Sequence, residues 1–336
     1  MPAANRVYAE ASVSLMEAEL EVFDRAVLGG IEDIASETIG GVPYLTFTVP
    51  ELSERAVRFL SNLSSIYALF RLAEDGGLHP VELAKLDKFD DDLLTIQKYP
   101  GKTNEHFTKM LLNATILSSD FADEMIARPL RVFDPLCGRG TTLNQALMYG
   151  YDAFGIEIDH KDFEAYSTFL RTWLQRKRVK HAIDAGPIRR DRKLVGHRFE
   201  AAIGVSREEY KAGEKRQFSV INADTLASGD FFAPAGFDVV VADAPYGVQH
   251  GSRNSSGALD RSPLSLLADA LPVWNRLLRP GGAVGISWNT LVAGREKAVA
   301  VFADLGMEVL DDGPYLRFRH RVDQSIMRDI IIARKP

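Results

Sequence analysis

The chain has 336 residues, of which 46% are hydrophobic and 26% charged, a balance that is typical of globular proteins and excludes disordered, collagen-like and coiled-coil classes. This length predicts two domains or one large one. No apolar stretch has the roughly 18 residues of a membrane span, and the N-terminus lacks the apolar core of a signal peptide, so we expect a cytoplasmic protein. The single cysteine, Cys137, excludes an internal disulfide, and the seven scattered histidines show no metal-ligand spacing, so we expect no metal.

Charge is distributed unevenly along the chain. The net charge is −6, but residues 1–98 carry 8 basic and 17 acidic side chains, a net charge of −9. Residues 171–217 carry 14 basic and 6 acidic side chains, a net charge of +8. Two interpretations of this basic segment have similar weight: it neutralises the phosphates of a nucleic acid, or it is a solvated helical face.

Residues 1–98 are predicted to form a smaller α+β domain. We expect a helix near residues 15–28, a strand over residues 42–49 and a second helix near residues 51–74. Ser53 is placed to cap the second helix, along which apolar residues recur at steps of three and four. The acidic stretch 87–94 indicates a linker or surface turn, and the domain boundary is placed near Tyr99.

Residues 99–336 are predicted to form a second, α/β domain. From Arg131 onward, apolar strands bounded by glycine alternate with helical stretches: RVF, DAFGIEID, FSVINAD, FDVVVAD, GGAVGISWNT and RDIIIAR. This alternation predicts a doubly wound, Rossmann-like parallel sheet covered on both faces. The basic segment 171–217 lies between the second and third of these strands, as an insertion.

A glycine-containing loop, Asp134-Pro-Leu-Cys-Gly-Arg-Gly-Thr-Thr, follows the first of these strands. Gly138 and Gly140 let the backbone turn sharply beneath a ligand. The loop lacks the third glycine of a dinucleotide site and the lysine of a P-loop, so we do not expect it to bind phosphate. Asp134, at the strand end, suits a ligand that carries an ammonium group.

The next two strands end in the carboxylates Glu157 and Asp224. Glu157 is placed like the acidic residue that binds ribose hydroxyls in doubly wound folds, and Ile158 beside it is placed to cover an adenine face. Asp224 is placed to accept the adenine amino hydrogens. A site for an amino-acid group next to a site for adenosine predicts S-adenosylmethionine as the cofactor.

The fourth strand ends in the candidate catalytic residues Asp243, Ala244, Pro245 and Tyr246. The Asp243 carboxylate and the Ala244 carbonyl suit the hydrogens of an exocyclic amino group, whose nitrogen they would hold in line with a methyl donor. Tyr246 suits stacking on a flat substrate. Methylation at carbon is disfavoured because Cys137, the one candidate thiolate, lies in the glycine loop, where we expect it to be a packing residue.

These motifs, in this order, resemble motifs I to IV of the class I S-adenosylmethionine-dependent amino methyltransferases. The segment YPGKTNEHFTKMLLNAT, at residues 99–115, is similar to the upstream motif that covers the methionine end of the cofactor. Within this superfamily the chain is most similar to the THUMP-associated enzymes that methylate N2 of guanosine in tRNA. In the usual tetrapeptide, D/N-P-P-Y/F, a proline stands where this chain has Ala244.

The resemblance implies a seven-stranded sheet whose last strand, the RDIIIAR segment, is antiparallel. It implies RNA, with tRNA favoured, as the partner, contacted through residues 171–217. It also implies further cofactor contacts by five residues: Lys102, Thr103, Pro135, Cys137 and Thr141.

Two other functions stay open. The same chemistry on DNA, a peptide or a small natural product is favoured by the acidic overall charge. A non-catalytic, cofactor-binding regulator is motivated only by Ala244.

Peripheral residues allow two interpretations each. His250, in the small-residue loop 248–257, either contacts substrate or has no role. Arg317, Arg319 and Arg321 are expected on one face of a strand, where they either contact phosphates or keep an edge strand soluble. Trp173 and Tyr166 fit helical core spacing better than a base-stacking surface.

Overall fold

The computed structural model describes residues 6–244 and 262–336. The helices are α1 (Arg6–Phe23), α2 (Glu54–Leu60), α3 (Asp92–Thr95), α4 (Glu105–Leu117), α5 (Thr141–Met148), α6 (His160–Arg176), α7 (Arg207–Ala212), α8 (Ser228–Phe231), α9 (Pro263–Leu277) and α10 (Arg295–Asp304). The strands are β1 (Glu32–Ile39), β2 (Val42–Thr48), β3 (Leu69–Leu72), β4 (Leu78–Val81), β5 (Arg131–Asp134), β6 (Asp152–Glu157), β7 (His181–Arg190), β8 (Lys193–Gly204), β9 (Lys215–Asn222), β10 (Phe237–Asp243), β11 (Leu278–Asn289), β12 (Glu308–Leu310), β13 (His320–Arg321) and β14 (Met327–Arg334).

One large sheet organises the described part of the chain, with the strand order β12-β14-β11-β10-β5-β6-β9-β8-β7 and β13 paired to β14. The five strands β11, β10, β5, β6 and β9 are parallel neighbours. Strand β14, which contains the RDIIIAR segment, pairs antiparallel with β11 and β12. The expected doubly wound α/β sheet is confirmed. It contains the expected seven strands, from β12 to β9, but β8 and β7 extend it beyond β9, and with β13 the sheet has ten strands in the described part of the chain.

Both faces of this sheet are buried, because alternate side chains of each strand enter different hydrophobic clusters. Along β10, Val239 and Val241 join the cluster that α1, α4, α5 and α6 cover. Val240 and Ala242 join the cluster that α9 and α10 cover. Helices on both faces explain why the strands are continuous apolar runs.

The N-terminal segment packs onto the first of these faces. Leu15, Val22 and Phe59 belong to the same hydrophobic cluster as Phe107 and Leu111 of α4. The division of the chain at residues 98 and 99 stays a prediction.

One expectation for the N-terminal segment is wrong, and one strand was not expected. The second helix, expected to reach residue 74, ends at Leu60. The Ser61 hydroxyl accepts a hydrogen bond from the Ala84 N–H, and the side-chain Oδ1 of Asn62 accepts one from the Leu86 N–H, both at 2.9 Å, which ties the end of α2 to a later segment. Strand β3 follows instead and pairs with β4. Strand β1, which we did not expect, pairs with the expected β2, and Ser53 caps α2 as expected.

The acidic stretch 87–94 is also more than a linker. Its last residues begin α3, where Leu93 is fully buried. Asp92 accepts a hydrogen bond from Nε1 of Trp173 at 2.9 Å and forms an ion pair with Lys177. The acidic residues therefore hold this stretch against α6. Trp173 and Tyr166 are both buried on α6, which confirms them as core residues.

The basic insertion 171–217 is mainly a β-hairpin of β7 and β8. Strand β8 pairs antiparallel with β9, so the hairpin widens the sheet beyond its third parallel strand. The interpretation of the whole insertion as a helical face is wrong, because α6 ends at Arg176 and α7 spans only six residues.

The expected strand through Arg317, Arg319 and Arg321 is only partly present. Residues Gly313–Leu316 form a 3₁₀ turn with a proline as its second residue, and β13 comprises only His320–Arg321. Arg317 forms an ion pair with Glu21 of α1. Among the described residues, no helix is long and apolar enough to cross a membrane.

Candidate active site

The candidate site lies at the edge of the sheet where the parallel strands β5, β6, β9 and β10 have their carboxyl ends. Asp134 ends β5, Glu157 ends β6 and Asp243 ends β10. Glu157 is level with Asn222, the last residue of β9. Burial raises the pKa of the Asp134 carboxyl, and the negative charges of Asp243 and Glu157 raise it further. The structure thus brings three of the expected carboxylates together.

The glycine loop is held in one conformation between β6 and α6. The Cys137 N–H donates to the Ile156 carbonyl at 2.9 Å, and the Gly140 N–H donates to the Cys137 carbonyl at 2.7 Å. Gly140 has φ +79°, and a Cβ there would lie 2.0 Å from Cζ of Tyr166. Gly138 has φ +51°, but a Cβ there would meet nothing within 4 Å. Both glycines adopt backbone that favours glycine, and only Gly140 is also packed too tightly for a side chain.

Cys137 is a packing residue, as the sequence indicates. Its side chain is buried, and Sγ lies 2.8 Å from the position that a Cβ on Gly155 would occupy. Burial raises the pKa of the Cys137 thiol well above its usual range. The thiol therefore stays protonated and offers no thiolate nucleophile. Pro135, beside it in the loop, is also buried.

The Glu157 carboxylate is fixed by two backbone donors. Its Oε2 accepts a hydrogen bond from the Gly138 N–H at 2.7 Å, and its Oε1 accepts one from the Asp159 N–H at 2.6 Å. Burial raises the pKa of Glu157 to about 7. The next residue, Ile158, is 53% exposed at the sheet edge, and its assignment to an adenine face stays a prediction.

Asn222 is a positioning residue that the sequence did not reveal. Its Nδ2 donates to the Glu157 carbonyl at 2.8 Å and to the Ile158 carbonyl at 3.2 Å. Its Oδ1 lies 3.0 Å from Nδ1 of His160. The side chain therefore links the end of β9 to the end of β6, under the expected adenosine site. The signal that could have revealed this role is its position in the INAD segment, directly before Ala223 and Asp224.

Asp134 is nearly inaccessible and strongly perturbed. It is 3% exposed, and its Oδ1 accepts a hydrogen bond from the Leu136 N–H at 3.1 Å. Burial, with smaller contributions from Asp243 and Glu157, raises the pKa of Asp134 to about 7. Among the described residues, no lysine or arginine forms an ion pair with Asp134 or Glu157. This excess of negative charge fits a cationic ligand such as S-adenosylmethionine, which carries an ammonium and a sulfonium group.

Asp243 is connected to the upstream segment. Oγ1 of Thr103 donates a hydrogen bond to Oδ2 of Asp243, across 140 residues of sequence. The following Ala244 is buried, and its N–H donates to the Ser287 carbonyl at 3.2 Å. Thr103, expected at the cofactor, therefore contacts the candidate catalytic carboxylate. Pro245, Tyr246 and His250 lie outside the described residues.

The rest of the upstream segment covers the start of α5. The Tyr99 hydroxyl lies 3.2 Å from Oγ1 of Thr141, and the Arg139 guanidinium lies 4.9 Å from the centre of the Tyr99 ring. Nζ of Lys102 donates to the Leu94 carbonyl at 2.6 Å and also contacts the carboxylate of Glu105. The Lys102 side chain thus contacts Glu105 within the segment and Leu94 just before it, and its contact with a cofactor stays a prediction.

Asp224 lies at the same edge, two residues after the end of β9. It is exposed, and its Oδ1 accepts a hydrogen bond from the Leu226 N–H at 3.0 Å, capping a 3₁₀ turn. Its assignment to the adenine amino group stays a prediction.

No family model matches the chain, and no curated protein sequence matches it. Solved structures with a similar fold include TrmN from Thermus thermophilus, with 17% identity over 70% of this chain and 50% of TrmN and a TM-score of 0.40. They also include a TehB-like S-adenosylmethionine-dependent methyltransferase from Corynebacterium glutamicum, with 16% identity over 64% of this chain and 84% of that chain and a TM-score of 0.35. A third is precorrin-6y C5,15-methyltransferase from Geobacter metallireducens, with 13% identity over 75% of this chain and 98% of that chain and a TM-score of 0.40.

The chain spans about half the length of TrmN. At these identities and TM-scores the likenesses concern the fold only.

Proposed function

We propose that this protein is an S-adenosylmethionine-dependent methyltransferase that methylates an exocyclic amino group of a nucleobase in RNA, with N2 of guanosine in tRNA as the favoured acceptor. The observation that carries the proposal is the meeting of Asp134, Glu157 and Asp243 at the carboxyl edge of the sheet, where burial raises the pKa values of Asp134 and Glu157.

In this proposal, residues at the ends of β5 and β6 would hold the cofactor. S-Adenosylmethionine supplies a methyl group on a positively charged sulfur. Asp134 binds the ammonium end and Glu157 binds the ribose hydroxyls, while the exposed Ile158 covers one adenine face. The Glu157 carboxylate needs little reorganisation, because the Gly138 and Asp159 N–H groups already orient it.

The acceptor amine lies next to Asp243. The Asp243 carboxylate and the Ala244 carbonyl accept the two amine hydrogens, which fixes the nitrogen lone pair toward the methyl group. The Thr103 hydroxyl holds the carboxylate in place from the upstream segment. Positive charge that develops on the nitrogen is stabilised by the carboxylate. A proline at position 244 is not needed for this role, because a backbone carbonyl is present with any residue.

RNA is proposed as the acceptor because of the charge distribution. The insertion 171–217 has a net charge of +8 in a chain with a net charge of −6. Such a concentration of cations suits a phosphate backbone. The acidic segment 1–98, with a net charge of −9, does not suit a phosphate backbone.

The test is transfer of labelled methyl groups from S-adenosylmethionine to total RNA, total DNA, and an extract of peptides and metabolites. We expect label in RNA, located in a base-methylated nucleoside. The Asp243→Asn variant should lower the rate about 10²- to 10³-fold, the usual effect of removing one group that stabilises transition-state charge. Asp304→Asn, at an exposed position at the end of α10, is the matched control and should leave the rate unchanged.

Two results would contradict the proposal. Unchanged RNA methylation by Asp243→Asn would refute the assigned catalytic role. Label found only in the peptide and metabolite fraction would refute RNA as the acceptor while leaving the cofactor site intact.

A further inference from the structure

We infer that the tip of the β7–β8 hairpin, residues 189–194, is the docking surface for the backbone of the acceptor RNA, several nucleotides away from the methylated base. This inference rests on the proposed function and narrows the basic insertion to one small surface. The remaining basic residues of the insertion are not part of it.

The strand register puts this tip at the active-site edge of the sheet. His197 of β8 pairs with Asn222, the last residue of β9, so residues 193–196 continue beyond the end of β9. Four residues at about 3.3 Å each carry the tip about 13 Å past that edge. Because Glu157 is level with Asn222, the tip rises above the same edge that holds the candidate cofactor site.

The tip carries concentrated positive charge. Four of its residues are basic and one, Asp191, is acidic, and all are exposed; the basic residues are Arg189, Arg190, Arg192 and Lys193. Within residues 6–244 and 262–336, no carboxylate forms an ion pair with Arg189, Arg192 or Lys193. Two other basic residues of the insertion are paired locally: Lys177 with Asp92 and Arg198 with Asp184.

The tip is held in a defined position. Asp191 and Arg192 have φ +49° and φ +66°, the left-handed backbone of a tight two-residue hairpin turn. Arg190 bonds to the Asp230 carbonyl, and its guanidinium lies 5.6 Å from the centre of the Phe231 ring. This contact braces the tip against α8 and leaves the three unpaired cations exposed. A fixed cluster of cations loses less conformational entropy on binding than a disordered basic tail.

The distance to the catalytic carboxylate requires an extended polyanion. Four strand spacings separate β10, which ends at Asp243, from β8, and at about 4.8 Å each this is about 19 Å. One small molecule does not span this distance, whereas an RNA with its target base at Asp243 does so within a few nucleotides. The phosphates then lie along the sheet edge toward the tip.

The test compares two triple variants of the full-length chain. Arg189→Gln, Arg192→Gln and Lys193→Gln together remove the three unpaired cations of the tip. The matched control removes three exposed cations of the same insertion at the opposite edge of the sheet, by Lys180→Gln, Arg207→Gln and Lys211→Gln. Binding of fluorescently labelled unfractionated tRNA is measured by anisotropy between 50 and 200 mM salt.

For the tip variant we expect the slope of log affinity against log salt to fall by about 2 to 3, which is 0.7 to 0.9 for each of three phosphate contacts. Between 50 and 200 mM salt, the factor by which RNA affinity falls should therefore be about 20 to 40 times smaller for the tip variant than for the unmodified protein. The control should keep its slope and its affinity within about twofold. Affinity for S-adenosylmethionine, measured by calorimetry, should be the same in all three proteins, which shows that each is folded.

Three results would overturn the inference. They are an unchanged slope in the tip variant, an equal loss in the control, and equal competition by polyglutamate, which would indicate an acidic protein partner instead of RNA. If RNA is methylated but the tip variant binds it normally, only the docking surface is refuted. If no RNA is methylated, the proposed function itself fails.

Discussion

Gly140→Ala tests the packing of the glycine loop, and Gly138→Ala is its matched control. Both residues have positive φ, so alanine costs about 1 to 2 kcal/mol of strain at either position. Only at Gly140 does the new Cβ also overlap a ring, at 2.0 Å from Cζ of Tyr166. This ring is 1% exposed, and its hydroxyl donates to Oδ1 of Asn144 at 2.9 Å, so it has little room to move.

Overpacking of this kind costs about 1 to 3 kcal/mol. We therefore expect Gly140→Ala to lower the free energy of unfolding by about 2 to 5 kcal/mol, and Gly138→Ala by about 1 to 2 kcal/mol. The measurement is urea denaturation of both variants and of the unmodified protein. Calorimetric titration with S-adenosylmethionine should show weaker binding by Gly140→Ala, because relief of the overlap displaces the loop and its 2.7 Å hydrogen bond from Gly140 to Cys137.

Equal losses of stability in the two variants would refute this reasoning. They would mean that backbone strain alone determines the cost and that the Tyr166 ring yields without penalty. If Gly140→Ala is destabilised but binds the cofactor with unchanged affinity, the packing explanation stands and the proposed role of the loop in cofactor binding is refuted.

Two further predictions concern buried carboxylates. Because burial raises the pKa values of Asp134 and Glu157 to about 7, cofactor affinity should fall by up to about tenfold per carboxyl for each pH unit below 7. Without cofactor, the folded protein holds these two protons at pH values where the unfolded chain has lost them, so its stability should fall as pH rises from about 4 to above 7. Calorimetry and thermal melts at pH 5 to 8 test the two predictions, and flat profiles would contradict them. Glu19→Gln should lower the free energy of unfolding by about 1 to 3 kcal/mol, since the buried Glu19 carboxylate accepts hydrogen bonds from the Ser64 N–H and hydroxyl. Urea denaturation measures this loss, and Glu37→Gln, at an exposed position, should show none.

Much of the candidate site follows from the sequence, for a physical reason. Parallel strands buried on both faces are continuous apolar runs, so their carboxyl ends can be located from the sequence. All such ends meet at one edge, which predicts that Asp134, Glu157 and Asp243 lie together without knowledge of any contact. The glycine loop is equally local, because positive φ at Gly138 and Gly140 is a property of the loop itself.

The sequence pattern also determined the α/β class and the core positions of Trp173 and Tyr166, and the family resemblance implied the antiparallel last strand. Tertiary structure decided the rest, because those features depend on partners far away in the chain. Apolar spacing predicted a helix to residue 74, but the backbone of residues 84–86 binds the end of α2 and stops it at Leu60. The basic insertion has no local pattern that distinguishes a helical face from a hairpin; its pairing with β9 makes it a strand and carries its cations to the active-site edge. The bond from Thr103 to Asp243 joins residues 140 positions apart, and only the folded chain brings them into contact.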